Sequence, residues 1–141
     1  RPPRSTLFPY TTLFRSQGIA PTEPDTEVIQ RLGIRTAGTK KLMTSTEPIK
    51  EWIKESNIKY LAIHLDLDVL DPKAFRSLLF ANPEAPVNFS PEGTMQMPYL
   101  LHLLKELSSE TDVVGLGITE HLPWDSIHLK KLLSEIPILT Q

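Results

Sequence analysis

Two short stretches hold the residues able to do chemistry. In "YLAIHLDLDVLDP", residues 60–72, apolar side chains give way to Asp66, Asp68 and Asp71. Ionised carboxylates are costly to bury unless they are paired or bound to a metal. Alternate side chains of a strand share a face, so a strand running to residue 68 projects His64, Asp66 and Asp68 together. Two carboxylates one strand-step apart offer a shared site the oxygen donors that hard divalent cations such as Mn²⁺ and Mg²⁺ favour. The competing reading is a strand end dissolving into a polar loop, with Asp71-Pro72 as turn chemistry. An Asp-x-Asp pair alone does not separate the two.

The second stretch, "DVVGLGITEHLPWD" (112–125), ends an apolar run on Glu120 and His121. Gly115 and Gly117 fall on one strand face, which permits close approach of a neighbouring element. If the two strands run parallel, Glu120 reaches the sheet edge that carries Asp66 and Asp68. That is the carboxyl edge, where open α/β sheets hold their ligands. Taken alone, Glu120 reads better as an acid opening a surface loop, and His121 should point to the side opposite it.

The elements that must position these groups alternate along the chain. "EPDTEVIQRLG" (23–33) has an acidic start, apolar Val28, Ile29 and Leu32, and a glycine stop, which predicts a short helix. "IRTAGTKKL" (34–42) reads as a short strand or loop. In "STEPIKEWIKESN" (45–57), Ser45 or Thr46 is placed to cap a helix and Pro48 suits its first turn. Ile49, Trp52 and Ile53 form its apolar stripe. A strand over 60–68 follows, then a loop-rich tract over 72–93 with four prolines. "TMQMPYLLHLLKELSSE" (94–110) predicts a helix carrying Leu100, Leu101, Leu103, Leu104 and Leu107. A strand over 112–119 and an amphipathic helix over 125–136 close the chain. Such alternation predicts an α/β fold of three layers, α/β/α, with a mostly parallel sheet. Trp52 and Trp124 read as packing residues, and His102 and His128 as structural or surface ones.

Composition removes several function classes. The 141 residues suffice for one modest domain with a core. Fifteen basic side chains against seventeen acidic ones leave a charge of -2, which gives no electrostatic ground for nucleic acid or an anionic membrane as partner. The chain has no cysteine, so disulfides and thiolate metal sites are excluded and the composition fits a reducing cytoplasm. No apolar run approaches the roughly 18 residues of a membrane helix, and no signal peptide is evident.

Residues 1–16, "RPPRSTLFPYTTLFRS", hold no acid and repeat Thr-Leu-Phe at 6–8 and 12–14. Their core, "FPYTTLFRS", translates TTT CCC TAC ACG ACG CTC TTC CGA TCT, which resembles a common short-read sequencing adapter. We read 1–16 as adapter-derived and set it aside from the fold. Native sequence is then expected from near Gln17, inside a longer gene, with 17–141 as the C-terminal part of a domain.

With both stretches in view, a family resemblance emerges. "HLDLDVLDP" resembles the last metal-binding motif of the ureohydrolases, the family of arginase, agmatinase and formiminoglutamase. That motif reads Ser-x-Asp-x-Asp-x-x-Asp-Pro, and the aspartates, their spacing and the closing Asp-Pro match. "GLGITEHLPWD" is similar to the family segment where a strand-end glutamate meets the substrate, and the order of elements agrees across 17–141. The resemblance implies an arginase-like fold present as its C-terminal portion. It also implies a cytoplasmic, homo-oligomeric parent enzyme with two Mn²⁺ ions that activate a water to attack a guanidino or formimino carbon. By the same resemblance Asp66 and Asp68 are metal ligands and Glu120 is the catalytic, substrate-binding carboxylate, suited to a planar cation through paired charge-assisted hydrogen bonds.

The chain also departs from that pattern. His64 stands where the family has serine, as a neighbour of the ligands, an extra ligand, or a packed histidine. The Pro-Gly that follows the family motif is replaced by "FRSLLFANPEAPVNFSPEG". The earlier motifs, Gly-Gly-Asp-His and Asp-Ala-His-x-Asp, are not in this chain, so the fragment alone is expected to be inactive. Two alternatives stand beside the hydrolase: a non-catalytic relative of the same fold, and a haloacid dehalogenase-type phosphotransferase. The latter lacks its downstream acidic pair, and Val69-Leu70 follow the Asp-x-Asp.

Overall fold

Apolar strands and amphipathic helices alternate along the computed structural model, which describes residues 12–15, 23–82, 84 and 93–140. The elements are β1 (Thr12–Arg15), α1 (Glu23–Leu32), β2 (Arg35–Gly38), α2 (Thr39–Thr44), α3 (Glu47–Glu55) and β3 (Tyr60–Asp66), then α4 (Met97–Glu110), β4 (Asp112–Thr119) and α5 (Ser126–Glu135). Short 3₁₀ turns span Leu67–Val69, Leu79–Ala81 and Pro137–Leu139. Among the described residues no helix is long and apolar enough to cross a membrane.

Local chemistry explains most boundaries. α1 stops at Gly33, whose φ of +62° is open to glycine without strain. The reversal there is closed by Ile34 N–H donating to the Ile29 carbonyl at 2.9 Å. α3 opens where the Ser45 hydroxyl accepts the Glu47 N–H at 3.2 Å, with Pro48 in its first turn. Its Ile49, Trp52 and Ile53 are buried, as are all five leucines of α4 at 100, 101, 103, 104 and 107. Lys50 joins the two helices, pairing with Glu47 at 2.9 Å and Glu106 at 3.1 Å.

β3 and β4 pair in parallel, from Tyr60 opposite Asp112 to Asp66 opposite Thr119. A register shift after Leu61 leaves Val114 as an extra residue on β4, mostly exposed. Leu61, Ile63 and Leu65 of β3, with Leu116 and Ile118 of β4, pack inward on the core of α3, α4 and α5. Tyr60, Ala62, His64 and Asp66 face outward and are exposed. The alternation in "YLAIHLD" therefore sets which side chains meet the core and which can meet a ligand.

Several expectations need correction. The strand expected over 60–68 ends at Asp66, because the Asp66 carboxylate captures the Asp68 N–H at 2.9 Å and turns the backbone into a 3₁₀ turn. The stretch 34–42 is split between β2 and the short α2. The helix expected from 94 begins at Met97, since Met95 is extended and bridges Leu70. Trp52 is core, but Trp124 is 39% exposed. Thr12–Arg15, within the segment set aside as adapter-derived, form a strand parallel to β2. The two pairs β1–β2 and β3–β4 are not joined by hydrogen bonds among the described residues. The Thr-Leu-Phe at 6–8, the proposed start at Gln17 and residues 83 and 85–92 of the proline-rich loop lie outside the described residues.

Candidate functional site

The parallel pairing of β3 and β4 brings their carboxyl ends together, so Asp66 lies opposite Thr119, one residue before Glu120. Leu67 and Val69, both buried, anchor the 3₁₀ turn in the core. Asp68, between them, is half-buried. Its Oδ1 is out of solvent and has no hydrogen-bond partner among the described residues. A buried acceptor left unpaired carries an uncompensated desolvation cost. Burial, followed by the charges of Asp66 and Glu120, pushes the Asp68 carboxyl up to about 6. Asp66 and Glu120 are thus each close enough to act on Asp68. Among the described residues, the influences that raise Asp68 are burial and like charge.

Asp71 does not join them. Its carboxylate accepts the Lys73 N–H at 2.9 Å, and its carbonyl accepts from Phe75 at 2.8 Å. For Asp71 the turn reading holds. Glu120 follows β4 directly, exposed and at φ +61°. A left-handed backbone is uncommon for a residue with a side chain, and such strain gathers at functional sites. His64 shares the outward face with Asp66, and its Nε2 lies 3.2 Å from the Thr119 hydroxyl. That bond ties β3 to β4 beside the carboxylates. Gly117 and Gly115 make no close approach: a Cβ at either would sit 3.5 Å from His64 Nδ1 and 3.8 Å from Ala62 respectively, which is ordinary contact. His121 is exposed and His102 lies on the outer face of α4. His128 is held by Asp125, whose carboxylate caps α5 and sits 2.6 Å from the His128 Nδ1.

The glycine that matters is Gly93, which sequence reasoning passed over. A Cβ there would lie 2.2 Å from the Asp68 carbonyl oxygen and 2.4 Å from that of Leu70. Asp71 N–H to Met95 carbonyl at 2.9 Å and Met95 N–H to Val69 carbonyl at 3.1 Å zip this segment to the Asp68 turn. Nothing in "SPEGT" marks such a contact.

Burial of Asp68, with the like charges beside it, has a direct consequence for stability. An acid whose folded-state pKa lies above its unfolded value favours the fold below the unfolded pKa, and that contribution is lost as pH rises through the folded pKa, about 6 for Asp68. Asp68→Asn should therefore raise the Tm of the metal-free chain at neutral pH, with the gain shrinking as pH falls to about 4. Thermal unfolding across that range checks it, and a variant less stable than wild type at pH 7 would contradict a carboxyl raised by burial and like charge.

No family model matches the chain, and no curated protein sequence matches it. Solved structures do. Arginase from Helicobacter pylori superposes with TM-score 0.63 at 24% identity, over 91% of this chain and 41% of that one. Arginase from Bacillus subtilis gives 0.66 at 13%, over 92% and 43%. The fold is arginase-like. Formimidoylglutamase from Bacillus subtilis shares it, with TM-score 0.56 at 15% identity over 79% and 33%. The chain spans less than half the length of each of these neighbours. Its α/β architecture with parallel strands is accordingly part of an arginase-like domain. That fold gives no support to the phosphotransferase alternative.

Proposed function

We propose that residues 17–141 are the C-terminal part of a binuclear manganese-dependent hydrolase that cleaves a C–N bond of a guanidino or formimino substrate. The observation that carries this reading is the Asp68 Oδ1, buried and unpartnered beside Asp66 and Glu120. An acceptor in that setting suits a divalent cation. The donor chemistry fits, because carboxylate oxygens are hard ligands. Among the described residues no group of three or more His, Asp or Glu is placed to hold a metal, so the remaining ligands must come from elsewhere in a complete protein.

In this proposal Asp66 and Asp68 are the ligands this chain supplies. The Asp68 N–H on Asp66 Oδ1 fixes the Asp66 rotamer and leaves its second oxygen for the metal. A metal pair held in part by Asp66 and Asp68 would supply an acidified, oriented water. Glu120 accepts the planar cation of the substrate through paired hydrogen bonds and sets its carbon against that water. Addition of water and departure of the amine would yield urea from a guanidino compound, or the corresponding amide from a formimino one. His64, bonded to Thr119, stands as a polar neighbour of the ligands. A cytoplasmic, homo-oligomeric parent is part of the same proposal.

Metal analysis of the complete protein tests it. The Asp66→Ala, Asp68→Ala double variant should lose its manganese and its release of urea or amide. Unchanged tight Mn²⁺ occupancy would remove both residues from the ligand set. A complete protein that binds no manganese would favour the non-catalytic relative, the reading that the short ligand set also admits.

A further inference from the structure

We propose that Ser77 is a positioning residue that holds Glu120 in its left-handed conformation beside Asp68. A glutamate at φ +61° persists only where its surroundings over-determine it. On one side Thr119 is fixed by pairing with Asp66 and by its contact with His64. On the other side the chain must be held again within a few residues, and Ser77 does this twice. Its carbonyl accepts the Leu122 N–H at 2.9 Å, and its hydroxyl donates to the Asp125 carbonyl. Ser77 is fully buried, and Asp125 is in turn fixed by capping α5. The loop carrying Glu120 is therefore clasped to the segment that follows the Asp68 turn. One hydroxyl thereby ties the segment after β3 to the segment after β4. The functional meaning of the clasp rests on the reading of Glu120 as the substrate carboxylate.

Nuclear magnetic resonance of the 141-residue chain tests the clasp with Ser77→Ala and Ser77→Thr. Removing the hydroxyl leaves the Ser77 carbonyl bond to Leu122 in place but frees the loop at Asp125, so amide exchange at Leu122 should speed about tenfold and the positive-φ carbon-shift signature of Glu120 should be erased. Amides of the β3–β4 ladder should be unchanged. Ser77→Thr, which keeps the donor, should retain both signatures. Unchanged Leu122 and Glu120 signals in Ser77→Ala would overturn the proposal. Equal loosening of the β3–β4 ladder, or equal loss in both variants, would do the same by assigning Ser77 to general packing. Neither signal depends on metal, so a complete protein that binds no Mn²⁺ would sink the hydrolase reading and leave the clasp standing.

Discussion

Glu120→Gln in the complete protein should lose most turnover while its manganese content stays unchanged. The substitution keeps shape and removes charge, so a planar cation loses its strongest partner. By analogy with desolvated charge pairs at interfaces, the cost in transition-state binding is about 2–5 kcal/mol, or roughly 30- to 5,000-fold in kcat/KM. What supports the proposed role is that Glu120 leaves the end of β4 on a left-handed backbone and stands outside the Asp66–Asp68 turn. Steady-state kinetics with metal analysis read the outcome. Loss of metal would make Glu120 a ligand, and full activity would make it a bystander.

The second large effect is expected at Gly93. Gly93→Ala places a methyl 2.2 Å from the Asp68 carbonyl oxygen and 2.6 Å from the Val69 carbonyl carbon, and neither is a flexible side chain that can step aside. Backbone must move, and the nearest movable backbone is the Asp68 turn with its bridge from Leu70 to Met95. Both bridge residues are buried, Leu70 at 0% and Met95 at 2% exposure, so the shift disturbs the core as well. Overpacking against a rigid neighbour costs typically 1–3 kcal/mol, and backbone contacts this short put Gly93→Ala at about 3 kcal/mol or more. Urea unfolding of the 141-residue chain measures it. A loss below about 1 kcal/mol would mean that the turn yields freely and that Gly93 does not support it.

What the sequence made legible follows from the range of the interactions. α4 could be read outright, because its five leucines recur at helical spacing and all five are buried. α3 and α5 were equally visible, their amphipathic patterns being written within a few residues. The parallel pairing of β3 and β4, needed to bring the end of β4 beside Asp66, is present in the structure. Less legible was the last turn of β3. Whether an aspartate continues a strand or captures a backbone N–H two residues on is a contest between local hydrogen bonds, and at Asp66 the capture won. The bulge at Val114 has no sequence marker. Gly93 and Ser77 were invisible for a different reason. Each acts on a residue distant in sequence, Gly93 on the Asp68 turn and Ser77 on Asp125, 48 positions away. Tertiary contacts of this kind leave no local pattern.

Paramagnetic Mn²⁺, titrated at substoichiometric levels into the isotope-labelled 141-residue chain, tests most directly whether the Asp68 carboxylate is built for a cation. Binding at the crowded carboxylates should broaden the amides of Asp66 to Val69 and of Glu120 before any others. The Asp66→Ala, Asp68→Ala double variant should abolish that selectivity. Uniform broadening across the chain, or the same selective pattern in the double variant, would contradict a metal site built on these two aspartates.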